Sequence, residues 1–331
     1  MRFGHFSRLP PPITLVVMTT SATTGATQAP CAGGIPSSEP RTTLSGVALM
    51  LTGGLSNQIG AGLGAHAFAA VGPAAVVAVR QVVAAVVLLS IARPRIRQLV
   101  WAQWWPVAAL AVTISTMNLT LYLAIERIGL GLAVSLEFLG PLLVAVFASR
   151  RAVDLVFAII AGAGVYVLVW PSPSTDYLGV GLGLIAAAGW AAYILLNRVI
   201  GERLSGLDGA ALATTGATII YLPVLVVAIA SGDLSGSTLW FTIGAGVLAS
   251  AVPYAVDLLA LRRVPTGLFA IFTSFNPVWA AVAGMLVLQQ FLGLHEWVGI
   301  ALISGTNIAV ISLTRKRRSP AKVILTQPSS L

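Results

Sequence analysis

The stretch Arg127 to Ala145 (RIGLGLAVSLEFLGPLLVA) returns in divergent form at Arg263 to Ala281 (RVPTGLFAIFTSFNPVWAA), so the chain reads as two related halves. Internal repeats are read first because they fix the architecture. At the constant offset that separates Arg127 from Arg263, Gly131 meets Gly267, Leu132 meets Leu268, Pro141 meets Pro277 and Ala145 meets Ala281, without gaps. A weaker echo pairs Gly46–Gly54 (GVALMLTGG) with Gly181–Gly189 (GLGLIAAAG).

Composition says what is repeated. Hydrophobic residues make up 57% of the chain, charged residues 9%, and the mean hydropathy is +0.93. A soluble domain carries roughly a quarter charged residues. Crossing a bilayer takes about 20 apolar residues per helix, and ten such stretches are legible: 44–63, 73–92, 104–124, 129–148, 154–170, 179–198, 209–230, 238–258, 266–287 and 295–313. The fold class expected is an all-α polytopic membrane protein with ten transmembrane helices. The segments are a cytoplasmic tail at 1–43, a first five-helix repeat at 44–170, a second at 171–313, and a basic tail at 314–331.

The net charge of +9 belongs to loops and tails, not to a nucleic-acid surface. Counted from a cytoplasmic N-terminus, 17 of the 19 basic residues fall on inside segments; Arg127 lies outside and Arg80 within a span. This positive-inside bias puts both termini in the cytoplasm and the chain in an inner membrane as a multi-pass protein. Five spans per half then make the repeat inverted, the architecture of many secondary transporters. The first 43 residues, rich in Pro, Ser, Thr and Gly, read as a disordered tail in which Met18 is an alternative start. Cys31, the single cysteine, lies in that tail, so neither an internal disulfide nor a thiolate metal site is expected. The basic run TRKRRSPAK reads as an anchor on anionic lipid.

Ionisable groups inside spans need an explanation. Glu137 lies in the fourth span, one turn before Pro141, whose missing N–H frees a backbone carbonyl. It reads as a proton or substrate-amine site, or as half of a structural ion pair. Arg80 in the second span is the available counter-charge; it is either a fixed partner or an anchor for a substrate carboxylate. Asp257 and Tyr254 share one face of the eighth span beyond Pro253. Asn57, Asn118, Asn276 and Tyr193 are polar span residues that serve as interhelical glue or as ligands. Asn276 stands out, because the repeat sets it opposite Gly140-Pro141. Trp190 lies deep enough to wall a pocket, while Trp101, Trp104, Trp105, Trp170, Trp240 and Trp297 sit near span ends as interfacial anchors. Pro141, Pro253 and Pro277 are helix breaks. The GxxxG spacings at Gly60–Gly64 and Gly179–Gly183 let helices approach and are not phosphate loops. No cofactor and no metal are expected; the isolated His5, His66 and His295 form no ligand set.

The run Asn118 to Leu142, followed by Ser149-Arg150-Arg151 and Asp154-Leu155, resembles the threonine/homoserine exporter branch of the drug/metabolite transporter superfamily, the EamA-type permeases. Pro253-Tyr254, Leu258 to Arg263 and Asn276-Pro277 resemble its second half. The resemblance covers about residues 44 to 313. It implies a ten-helix inverted-repeat fold and export of small polar metabolites such as amino acids against proton entry. Asn276 stands where the branch often has a glutamate, Gln289-Gln290 where it has Gly-Glu, and Asp257 where it tends to glutamate. The expected protein is thus a transporter and no enzyme, with a small polar solute, protons and membrane lipids as partners. The alternatives are transport of a nucleobase, sugar or drug, in either direction. An intramembrane enzyme would need converging His/Glu/Asp or Ser/His groups in the spans, and a structural protein would not need Glu137 beside a broken helix.

Overall fold

The computed structural model describes residues 40–94, 100–148, 152–204, 207–234, 236–261 and 266–318. The expectations for the N-terminal tail up to residue 39, and for the C-terminal tail beyond Arg318, lie outside the described residues.

All regular structure among the described residues is helical. The helices are α1 (Pro40–His66), α2 (Phe68–Ala92), α3 (Trp101–Ile128), α4 (Leu130–Glu137), α5 (Leu139–Ala148), α6 (Ala152–Val169), α7 (Tyr177–Gly201), α8 (Asp208–Ala230), α9 (Gly236–Gly246), α10 (Val252–Leu261), α11 (Thr266–Thr273), α12 (Asn276–Leu288) and α13 (Leu294–Arg318), with a π turn at Val247–Ala251 between α9 and α10. Six helical segments among them are long and apolar enough to cross a membrane, and shorter apolar helices accompany them. The chain is a multi-pass membrane protein. Helix α1 starts four residues before the expected boundary, and α13 runs on through the basic residues to Arg318.

Three of the apolar stretches are broken helices. The stretch at 129–148 divides into α4 and α5 at Phe138, and the one at 266–287 divides into α11 and α12 at Ser274-Phe275. Phe138 and Ser274 are related by the same offset as Arg127 and Arg263, so the two halves break at equivalent points. The cause is local, since Pro141 and Pro277 each withhold an N–H from the preceding turn. The third break is the π turn.

Neighbour relations repeat between the halves. α1 packs on α9, α10 and α12, while α7 packs on α3, α4 and α5; α2 packs on α9 as α8 packs on α3; α2 meets α8, α4 meets α12 and α6 meets α13. Exchanging the halves maps this set onto itself when each broken stretch is taken whole. Glycines make several of the approaches possible. A Cβ on Gly60 would lie 2.6 Å from the backbone nitrogen of Ala249, one on Gly183 2.8 Å from Leu136, and one on Gly299 2.6 Å from Leu168. Without a hydrophobic force between helices in lipid, such close backbone contact is the main source of association.

The core runs through Val76, Val77, Tyr122, Leu130, Leu136, Ala280 and Ile303, all essentially inaccessible. Apolar side chains such as Ile159, Ile219 and Val227 point outward instead, as lipid contact requires. Several buried hydroxyls are satisfied within their own helices: Ser115 donates to Ala111 O and Ser135 to Gly131 O.

Candidate functional site

Pro253 organises the site. In the π turn the N–H of Val252 donates to Val247 O, one residue further back than in an α-helix, so Leu248 O loses its usual donor. Ala249 O loses its own as well, because the residue four positions on is Pro253. Two adjacent carbonyls are thereby released in the membrane interior, where bare polar groups are costly. Two other helices supply the donors. Ser56 Oγ of α1 donates to Leu248 O at 2.9 Å, and Arg80 Nη2 of α2 donates to Ala249 O at 3.3 Å.

Arg80 is thus held by the second half of the chain. Its Nε donates to Ser250 Oγ at 3.4 Å, its Nη1 to Tyr122 Oη at 3.3 Å, and the guanidinium carbon lies 5.5 Å from the centre of the Tyr122 ring. Tyr122 is wholly buried and braced by Phe68. The guanidinium opens on a cavity of about 110 Å³ between the halves. From the first half come Arg80, Gln81 and Ala84 of α2 and Leu110, Ile114, Met117 and Asn118 of α3; from the second come Tyr193 and Asn197 of α7, Ala210 and Thr214 of α8, and Ser250 of the π turn.

Among the described residues, the rest of the polar lining is neutral. Asn118 Nδ2 donates to Ile114 O and Asn197 Nδ2 to Tyr193 O, each at 2.8 Å, and both residues line the cavity. Thr214 Oγ1 donates to Ala210 O. A small compartment whose described lining sets Arg80 among amides and hydroxyls suits a solute of a few heavy atoms that carries an anionic group; drug-sized ligands occupy clefts of about 300 Å³ and more.

Of the residues expected from the sequence, this cavity gathers Arg80, Asn118 and Tyr193. Glu137 lies elsewhere, at the C-terminal end of α4, and is only 6% exposed. It makes no ion pair with Arg80: the ion pairs among the described residues are Arg127–Asp176 and Arg198–Glu202. The neighbouring space is filled, with Trp190 edge-on to Phe138 at 4.4 Å and Gly140 tight against Ala187 and Trp190. Trp190 thus packs against the break. Asn276 is half-buried where α12 meets α1 at Gly54, and Asn57 is half-buried on α1. The side chains of Tyr254 and Asp257 lie outside the described residues, although α10 carries both.

Gln81, Asn197, Thr214, Ser250, Ser56 and Asn307 were not singled out by the sequence reading. Asn307 of α13 donates to Phe138 O at 3.1 Å and so serves the broken fourth stretch. Gln290, one of the departures from the exporter pattern, sends Oε1 to the N–H of Leu130 at 3.0 Å and caps α4 from the other half.

The EamA-like transporter family model matches residues 177–312. The threonine/homoserine exporter RhtA of Salmonella typhimurium is 33% identical over 268 residues, covering 79% of this chain and 90% of that protein. The chain belongs to the EamA-like transporter family. RhtA of Escherichia coli K12 is 31% identical over 276 residues, covering 82% and 92% respectively. A solved crystal structure superposes with a TM-score of 0.53 at 17% identity, covering 82% of this chain and 98% of that one, a likeness of fold alone. The EamA relatives are transporters and not enzymes, which agrees with a cavity lined for binding.

Proposed function

We propose that this EamA-family protein is a proton-coupled exporter of small polar metabolites, with amino acids of the threonine/homoserine type as substrates, in the inner membrane. The observation that carries the proposal is the Arg80 cavity between the two halves, where a secondary transporter binds its solute. The printed activity of the RhtA relatives supports the substrate class. In this reading the chain has ten transmembrane helices in two inverted five-helix repeats, 44–170 and 171–313, with both termini cytoplasmic. The neighbour pattern that survives exchange of the halves, and the placement of the basic residues, support that arrangement. Arg80 anchors the substrate carboxylate, with Asn118, Asn197, Tyr193 and Thr214 around the rest of the solute. Glu137 carries the proton, supported by a buried carboxyl at a helix break with no salt-bridged cation among the described residues.

Uptake into inverted vesicles tests this directly. Labelled threonine and homoserine should accumulate saturably when the lumen is made acidic, and Arg80→Gln should weaken that uptake about tenfold or more through loss of a charge-assisted contact. Accumulation of a sugar or nucleobase with no response to amino acids would replace the substrate class; no gradient-dependent uptake of any of them would overturn the exporter reading.

A further inference from the structure

All three hydrogen bonds of Arg80 described above are long, between 3.3 and 3.4 Å. The common N–H···O distance is about 2.9 Å, and guanidinium–carboxylate bonds are shorter and stronger than neutral ones. A solute carboxylate therefore has the advantage over the Ala249 carbonyl in competition for the guanidinium. The displacement has a consequence, because Ala249 is only 5% exposed and Pro253 deprives its carbonyl of the α-helical donor. Once Arg80 turns to a carboxylate, that oxygen is stranded unless the solute brings a donor of its own.

We infer that the π turn is part of the substrate site: the solute's ammonium takes the Ala249 carbonyl oxygen as its carboxylate takes Arg80, so that a zwitterionic α-amino acid inserts between the two. One long protein–protein bond is replaced by two charge-assisted bonds, and neither Arg80 nor Ala249 O is left bare. A plain carboxylate satisfies Arg80 and strands the carbonyl; a plain amine cannot displace Arg80. The site thereby selects for the amino-acid zwitterion against the hydroxy and keto acids that share its carboxylate. Ser250 and Ser56 keep the turn in place on either side, Ser250 through Arg80 Nε and Ser56 through Leu248 O. This assignment rests on the reading of Arg80 as carboxylate anchor.

The test compares three probes on the purified full-length protein: L-threonine, 3-hydroxybutyrate, which lacks only the ammonium, and 1-amino-2-propanol, which lacks only the carboxylate. Competition against labelled threonine should rank 3-hydroxybutyrate about tenfold or more below threonine, with the amine weaker than both. This arm needs no mutation. Pro253→Ala then returns an N–H to Ala249 O, and the gap between threonine and 3-hydroxybutyrate should shrink to within about twofold. The gap should close chiefly because 3-hydroxybutyrate, whose carboxylate no longer strands the carbonyl, binds more tightly than to the wild type, and that gain also shows that the variant is folded. Equal competition by threonine and 3-hydroxybutyrate in the wild type overturns the zwitterion assignment and leaves the carboxylate anchor standing. A Pro253→Ala protein that binds 3-hydroxybutyrate yet keeps the full gap also overturns it. If threonine itself neither binds nor is transported, the exporter reading falls, and this assignment with it.

Discussion

Asn307 Nδ2 lies 3.1 Å from the carbonyl oxygen of Phe138 and 3.2 Å from that of Ile303, so one buried amide satisfies its own helix and the break in another. Asn307 is 3% exposed and Phe138 is equally buried, so no water replaces the bond. Asn307→Ala should cost about 1–3 kcal/mol, the penalty of an unsatisfied buried carbonyl, and lower the melting midpoint of the detergent-solubilised protein. An unchanged midpoint would mean that the break is satisfied without Asn307.

The approach of α1 to the π turn gives a second prediction. A methyl group at residue 60 would meet Ala249 N at 2.6 Å and Leu248 C at 2.9 Å, atoms of backbone that cannot rotate away. Gly60→Ala should push α1 outward, stretch the Ser56–Leu248 bond and cost about 1–3 kcal/mol. Gly162→Ala is the control, since a Cβ there meets nothing within 4 Å. Thermal melts of the two variants side by side check the idea; equal midpoints would refute the close contact.

These relationships show where the sequence was informative. The helix breaks were legible, because a proline removes a donor whatever surrounds it, and the glycine spacings at Gly60–Gly64 and Gly179–Gly183 do mark close contacts. Arg80 was legible as a residue that needs partners, and these include a carbonyl whose α-helical donor Pro253 removes. A backbone acceptor leaves no trace in side-chain identities. Asn197, Thr214 and Ser250 escaped notice for a related reason: a single amide or hydroxyl in an apolar helix usually bonds its own preceding turn, and only the neighbouring helix decides whether it also faces a cavity.

The acid sensitivity of the loop before α7 follows from Asp176. The N–H of Gly179 donates to Asp176 Oδ1 at 2.9 Å and Arg127 Nη1 to Oδ2 at 2.9 Å; together these hold the carboxyl below its ordinary range, the backbone bond first. For a depressed carboxyl the stabilising contribution is complete above the unfolded value and is lost as the pH falls through the folded one. Melting curves should therefore decline below about pH 4 in a way that Asp176→Asn flattens. If both proteins lose stability in parallel, the cap and ion pair contribute nothing to the acid response.

For Glu137, substitution by glutamine keeps the shape of the side chain and removes the exchangeable proton. Glu137→Gln should insert normally and still bind threonine, because the Arg80 cavity is separate from it, yet lose accumulation driven by a pH gradient. Counterflow exchange, which needs no net proton movement, should persist. Gradient-driven accumulation by the glutamine variant with a normal pH profile would make Glu137 structural, and Asp257 the next residue to test.

The inverted arrangement makes the last prediction. If each half crosses the membrane five times, the end of α7 and the end of α13 face the same side, whereas the turn at Asp233 between α8 and α9 faces the other. Reporter fusions after Arg203 and Arg318 should be active in the cytoplasmic sense, and fusions after Asp176, Asp233 and Gly293 in the external sense. Fusions after Arg127 and Arg263 are the stringent pair, since these residues open the two copies of the repeated segment and an inverted repeat puts them on opposite sides, Arg127 external and Arg263 on the basic, cytoplasmic side. An external reporter after Arg263 would put the second half in the wrong orientation for an inverted repeat, and α2–α8 and α6–α13 would then have to be explained as contacts between halves that point the same way.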